Sequence, residues 1–180
     1  MYTEEEEYEI DRYNVLFNDD LEPVKSFYKT KEDTEILFTD SNVTPLMVAS
    51  CWSSPEVIKY IVSLGADLNA KDREGFTPVH WAANRQNARG IKTLAELGAD
   101  LNQFDNMGEL TPLGVSLQMS RHDSVAALVN AGADLEITNS EGYSPIEDIL
   151  EHEDYEERYD YILPNIKSTQ KYKSWINETV

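Results

Sequence analysis

A five-residue segment, Gly65-Ala66-Asp67-Leu68-Asn69, returns as Gly98-Ala99-Asp100-Leu101-Asn102 and again as Gly132-Ala133-Asp134-Leu135, at offsets of 33 and 34 residues. A second motif keeps step with it: Thr44-Pro45-Leu46, Thr77-Pro78-Val79, Thr111-Pro112-Leu113 and Ser144-Pro145-Ile146, with the Thr of the first three copies 21 residues before the Gly. Two motifs locked in phase constrain the fold more than any other feature of the chain. A unit of this length is one supersecondary element that cannot bury its apolar face alone, so neighbours must stack.

Local chemistry defines the unit. Thr or Ser before Pro reads as a helix start, because the hydroxyl accepts from orphan amides and Pro lacks the N–H that the first turn would leave unpaired. Val79, Ala82 and Ala83 then form an apolar stripe whose small members permit close helix contact. Glu56–Leu64 reads as the second helix of a unit, apolar at helical spacing. Gly65, Gly98 and Gly132 are expected to stop their helices in the left-handed conformation. An extended stretch follows, with a turn at Asp72-Arg73-Glu74-Gly75 where Gly75 takes positive φ.

At these residues the chain resembles the ankyrin-repeat family. Thr77-Pro78-Val79-His80-Trp81-Ala82-Ala83 is similar to the family's T-P-L-H-x-A signature, and Gly-Ala-Asp-Leu-Asn is similar to its repeat ending. The resemblance implies an all-α solenoid of helix-turn-helix units with β-turn fingers, here about three full repeats between terminal caps. It also implies that His80 hydrogen-bonds neighbouring turns. The chain departs from the pattern in three ways. Ser53-Ser54, Gln86-Asn87 and Ser120-Arg121 replace the usual Gly-His between paired helices, and Met47, Gly114 and Glu147 replace the signature His. The third turn, Asp105 to Leu110, carries one extra residue.

The frame divides the chain into an acidic N-terminal cap (1–41), repeats at 42–74, 75–107 and 108–141, a C-terminal cap (142–164) and a tail (165–180). In the N-terminal cap Tyr8–Phe17 reads as a first helix and Leu21–Tyr28 as a second. Asn42 stands where Gly75 stands one unit later, and Asn tolerates the left-handed region. Beyond Leu150 a helix is expected to run through Tyr155, Tyr159 and Ile162, limited by Pro164.

Charge narrows the partner. The chain carries 34 acids against 15 Lys and Arg, a net −19. Residues 1–22 hold nine acids and one base, and residues 147–160 hold eight acids and one base. Such a surface repels nucleic acid and anionic lipid and steers a basic protein toward itself; it also keeps a repeat array soluble. The longest apolar runs fall short of a membrane span, the start is acidic where a secretory signal is basic, and Cys51 is the single cysteine. The expected location is cytoplasmic.

Catalytic chemistry is not expected, nor any cofactor or metal. Arg121-His122-Asp123-Ser124 holds triad residue types, but consecutive helical residues point in different directions. His122, His152 and Cys51 lack metal-ligand spacing, and the turn Asp105–Glu109 fails the calcium-loop pattern. The run Glu151–Glu157 reads as a solvated helix face.

In proteins that the chain resembles, partners lie along the turn tips and the face made by the first helices. Carried over, the tips are Asp40, Ser41 and Val43; Arg73, Glu74 and Phe76; Asn106, Met107 and Leu110; Ser140, Glu141 and Tyr143. The first helices add Cys51 and Trp52, Asn84 and Arg85, Gln118 and Met119, Glu151 and His152. Val43, Phe76, Leu110 and Tyr143 precede successive helix starts, so stacking is expected to align them in one row flanked by Trp52 and Met119. These side chains either anchor a partner or pack back onto the next turn. Trp81 is expected in the core. The function this implies is stoichiometric capture of a basic protein by a monomer, in a 1:1 complex, as by an inhibitor or immunity protein acting on a nuclease or toxin; the alternative is a cytosolic adaptor joining cellular proteins.

Overall fold

The computed structural model describes residues 4–17, 19–38, 40–151, 157, 159–170 and 173. The helices among them are α1 (Glu4–Asn14), α2 (Leu21–Phe27), α3 (Lys31–Thr34), α4 (Pro45–Trp52), α5 (Pro55–Ser63), α6 (Pro78–Asn84), α7 (Ala88–Glu96), α8 (Pro112–Gln118), α9 (His122–Asn130), α10 (Pro145–Leu150) and α11 (Leu163–Ser168). Short 3₁₀ turns cover Val15–Phe17 and Asp160–Ile162. There is no strand among the described residues. The array is the all-α solenoid expected from the repeat.

Each Thr/Ser-Pro pair begins a helix as the sequence predicts. Thr44, Thr77, Thr111 and Ser144 are extended at the N-cap, with Pro in the first turn of α4, α6, α8 and α10. The Thr44 hydroxyl accepts from the Met47 N–H at 3.3 Å and Thr111 from Gly114 at 3.2 Å. At the other end of the units, Gly65, Gly98 and Gly132 take φ of 105°, 94° and 95°. Behind two of them the chain closes on the helix it has left, Ala99 N–H on the Leu94 carbonyl at 3.0 Å and Ala133 N–H on Leu128 at 2.9 Å.

First helices stack on first helices, α4 on α6, α6 on α8 and α8 on α10, while α5 packs on α7 and α7 on α9. One apolar cluster runs through the stack, with Leu46, Met47, Ile58, Ile61, Val79, Ala82, Ala83, Ile91, Leu94, Leu128, Ile146 and Ile149 at or near zero exposure. Ala82 and Ala83 let α6 lie close between α4 and α8, as their size implies. The repeat ending adds a polar stitch along the outer edge. Each Asp caps its own turn, Asp67 accepting from Asn69 N–H and Asp100 from Asn102 N–H, both at 2.9 Å. The Asn then reaches one unit on: Asn69 accepts from Asp100 N–H at 2.9 Å and Asn102 from Asp134 N–H at 2.8 Å.

The N-terminal cap joins the same frame. Leu16, Val24 and Tyr28 are fully buried. The Tyr28 hydroxyl donates to the Arg12 carbonyl at 3.0 Å, and Tyr60 of α5 donates to the Tyr28 carbonyl at 2.7 Å. Arg12, the single base of the acidic first 22 residues, is 5% exposed and pairs with Asp33 at 2.6 Å. Burial works against the Asp33 carboxylate, but the Lys29 and Thr30 N–H groups and Arg12 outweigh it and hold its pKa at about 2.

The C-terminal end differs from expectation. Pro164 sits in the first turn of α11, where its missing N–H costs nothing, so it opens a helix as well as closing off the turn before it. Ile166 is fully buried and belongs to the core cluster, so the segment expected to trail as a tail packs in part. Tyr155 and His152 lie outside the described residues.

Candidate protein-binding face

Four turns project from the helix stack as fingers, and the backbone stitches their tips together. Arg73 N–H donates to the Ser41 carbonyl at 2.9 Å, Asn106 N–H to Glu74 at 2.8 Å and Ser140 N–H to Gly108 at 3.1 Å. The Asn106 amide adds a bond to the Arg73 carbonyl at 2.7 Å. At the base of each of the last three fingers an Asp or Asn side chain folds the loop. Asp72 accepts from Phe76 N–H at 2.8 Å, Asp105 from Glu109 N–H at 2.9 Å, and Asn139 from Tyr143 N–H at 2.9 Å. Closure runs from residue 72 to 76 and from 139 to 143, but from 105 to 110 in the finger between. Since Gly75, Gly108 and Gly142 all have positive φ and bond three residues back, the extra residue follows the glycine and is Glu109. Asn42, at φ 62°, takes the glycine's conformation in the first finger, as expected.

The row of residues before the helix starts is not uniform. Val43 is a correction: at 5% exposure it belongs to the core cluster, because its side chain packs onto the helix stack as its carbonyl closes the first finger on the Phe38 N–H at 3.0 Å, and it offers nothing to a partner. Phe76 is half-buried and stacks on the His80 ring, centroids 5.1 Å apart and planes 5° from parallel. Leu110 is half-buried, and Tyr143 stands out at 56% exposure. Met107, on the finger with the inserted residue, is 72% exposed. Asp40, Arg73, Glu74, Asn106, Ser140 and Glu141 are exposed around these apolar groups.

On the first helices, Trp52 and Met119 are about half exposed. The Arg85 guanidinium lies 4.7 Å from the Trp52 ring centre and Phe17 packs 5.8 Å away, so the indole is braced from two units before any partner arrives. Asn84 is half-buried and Gln118 exposed. Cys51 is a second correction. Helix α4 turns it inward to 4% exposure with its thiol toward the Trp81 carbonyl at 3.5 Å, and burial pushes its pKa up to about 12. Trp81 is only half-buried rather than core, because its indole N–H leaves the stack to donate to Asp72 at 2.8 Å. Burial raises the pKa of that Asp72 carboxyl.

His80 does what the resemblance implies. Its Nδ1 accepts the Thr77 N–H at 3.1 Å and its Nε2 meets the Leu110 carbonyl of the next finger at 3.2 Å. Burial is the main cause that lowers its pKa to about 4. Two acids that border the face, Glu109 and Asp148, were not singled out by the sequence reasoning. Glu109 is the inserted residue itself, and Asp148 stands where Trp81 stands in the signature of the second repeat.

Among the described residues no group of three His, Cys, Asp or Glu is placed to hold a metal ion, and no helix is long and apolar enough to cross a membrane.

Comparison with known proteins agrees with this geometry. Residues 14–105 and 64–139 match the family described as ankyrin repeats (3 copies). The chain is 42% identical over 45 residues to Rabankyrin-5 of Mus musculus, a match covering 25% of this chain and 4% of that protein. It is 30% identical over 98 residues to human Rabankyrin-5, covering 53% and 8%. It is 44% identical over 43 residues to the Drosophila melanogaster transient receptor potential cation channel subfamily A member 1, covering 24% and 4%. The chain thus matches less than a tenth of the length of these curated relatives. With phased repeats, stacked helix pairs, stitched fingers and a family match over well over half of its length, the chain belongs to the ankyrin-repeat family, whose arrays are protein–protein interaction modules and generally non-catalytic.

Proposed function

We propose that this chain is a non-catalytic module that captures a basic protein in a 1:1 complex, as a stoichiometric inhibitor or immunity protein captures a nuclease or toxin. One observation carries the reading. Trp52, Met107, Met119 and Tyr143 are exposed on the finger and first-helix side, and among the described residues the charged ones exposed with them are Asp40, Glu74, Glu109, Glu141, Asp148 and Glu151 against Lys71, Arg73 and Arg85. Exposed aromatic and Met side chains supply area that gains from being desolvated, and a surrounding rim of one sign steers a partner of the other. A cytoplasmic setting belongs to the same reading; the lone cysteine, kept as a buried thiol, suits a reducing compartment.

The test is capture of partners from lysate of the source organism by the immobilised chain at about 0.05 M and about 0.5 M salt, with identification by mass spectrometry. The expected result is one basic protein, retained at low salt, weakened at high salt, and lost with Trp52→Ala or Tyr143→Ala. Retention of neutral or acidic proteins indifferent to salt would contradict this reading and favour an adaptor.

A further inference from the structure

At the third position of each first helix the four units place Met47, His80, Gly114 and Glu147. In three units that side chain reaches back to the N-cap residue. Thr44 N–H meets Met47 Sδ at 3.3 Å, Thr77 N–H meets His80 Nδ1 at 3.1 Å and Ser144 N–H meets Glu147 Oε2 at 2.8 Å. His80 also fills the space between two successive fingers, stacking on Phe76 and bonding the Leu110 carbonyl. Gly114 has no side chain to do either. One unit on from His80, a cleft of about 160 Å³ opens between the fingers ending in Leu110 and Tyr143. Its apolar walls include Phe104, Leu110, Ile137 and Tyr143, and the carboxylate residues lining it are Glu109 and Asp148; among the described residues no lysine or arginine lines it.

We propose that this notch is the receptor for one cationic side chain, arginine or lysine, on the surface of a basic protein. The aliphatic stem of such a residue lies against Leu110 and Tyr143, while its charged head meets Glu109 and Asp148 at the rim. Two departures from the repeat pattern, the loss of the signature side chain at Gly114 and the insertion of Glu109, converge on one place and act together there. The first makes the space and the second supplies charge to it. The inference rests on the basic-partner reading above and names where on the face the partner's charge is read.

The notch is testable without the partner. Amide chemical shifts of the 15N-labelled chain are followed while N-acetyl-arginine methylamide, N-acetyl-lysine methylamide or the neutral N-acetyl-norleucine methylamide is added at low salt. The cationic probes are expected to shift amides within 108–114 and 139–148, with the neutral probe at least fivefold weaker. A larger response to one cation assigns the notch to guanidinium or to ammonium. Gly114→His, which restores the signature side chain, is expected to weaken the response at least fivefold. Gly114 has an ordinary helical φ and an added Cβ meets nothing closer than 3.4 Å, so the backbone tolerates the change. Asp148→Asn, at an exposed position, is expected to weaken it similarly and guards against a folding defect in the first variant. Shifts spread evenly over the acidic residues of the chain, or undiminished in both variants, would overturn the proposal. Failure here with salt-sensitive capture of a basic protein intact removes only the notch. Failure of capture with the titration intact removes only the partner reading.

Discussion

With its Nδ1 accepting the Thr77 N–H, the imidazole of His80 carries its proton on Nε2 and donates it to the Leu110 carbonyl. Protonation of Nδ1 turns an acceptor into a donor facing a donor, in a site with no exposure. The folded pKa of about 4 lies below the ordinary 6.5, so between these values the unfolded chain binds the proton and the folded chain does not. The stabilisation is therefore fully present above about pH 6.5 and is lost as pH falls toward 4. His80→Gln is expected to remove about 2–3 kcal/mol of the difference in unfolding free energy between pH 7.5 and 4.5, measured by urea denaturation. Equal pH dependence in both proteins would contradict the assignment. At this scale the sequence was partly legible. The Thr-Pro-x-His spacing pointed to the His80 bridge, but nothing local told Val43 and Cys51 apart from their exposed neighbours. Their burial depends on how deep the first finger and α4 sit against the next unit, which is tertiary information.

The helix pairs were legible almost throughout, because caps, prolines and glycines mark their ends chemically. What could not be read was strain. Gln86 and Ser120, which stand where the family places Gly, adopt φ of 58° and 53°. A side chain in the left-handed region costs about 1–2 kcal/mol, partly offset by the larger chain entropy of Gly in the unfolded state. Gln86→Gly and Ser120→Gly are each expected to stabilise the chain by about 0.5–1 kcal/mol in denaturant unfolding, and a loss of stability would contradict the strain argument. The stitch along the repeat ending gives the opposite sign. Asn102→Ala removes the acceptor for Asp134 N–H and is expected to cost about 1 kcal/mol, by the same measurement. The ends of the chain were the least legible, since Pro164 is compatible with stopping one helix and starting another. Its place in the first turn of α11 shows that it opens one here.

Across the whole molecule, stability is a sum of unit and neighbour terms, so interior units with two neighbours outlast terminal ones. In native-state hydrogen exchange, amides of α6 and α7 are expected to exchange more slowly than those of α1 and α11; the reverse order would contradict a stack centred on α6. Charge works at the same scale. A net charge of −19 on a chain of 180 residues is a field that many residues share, and it is most useful where exposed apolar groups give a partner something to bury. The sequence showed the surplus of acids but not which of them the fold gathers beside Trp52, Met107, Met119 and Tyr143. That gathering depends on the bonds between finger tips, which join residues 32 apart.

The most direct test of the binding face is amide hydrogen exchange of the chain alone and saturated with its captured basic partner. Protection is expected over the finger tips at 73–76, 106–110 and 140–143 and at the C-terminal ends of α4, α6 and α8, with α5, α7 and α9 unchanged. Protection confined to α5, α7 and α9, with the finger tips exchanging as in the free chain, would place the partner on the opposite side and contradict the binding face described above.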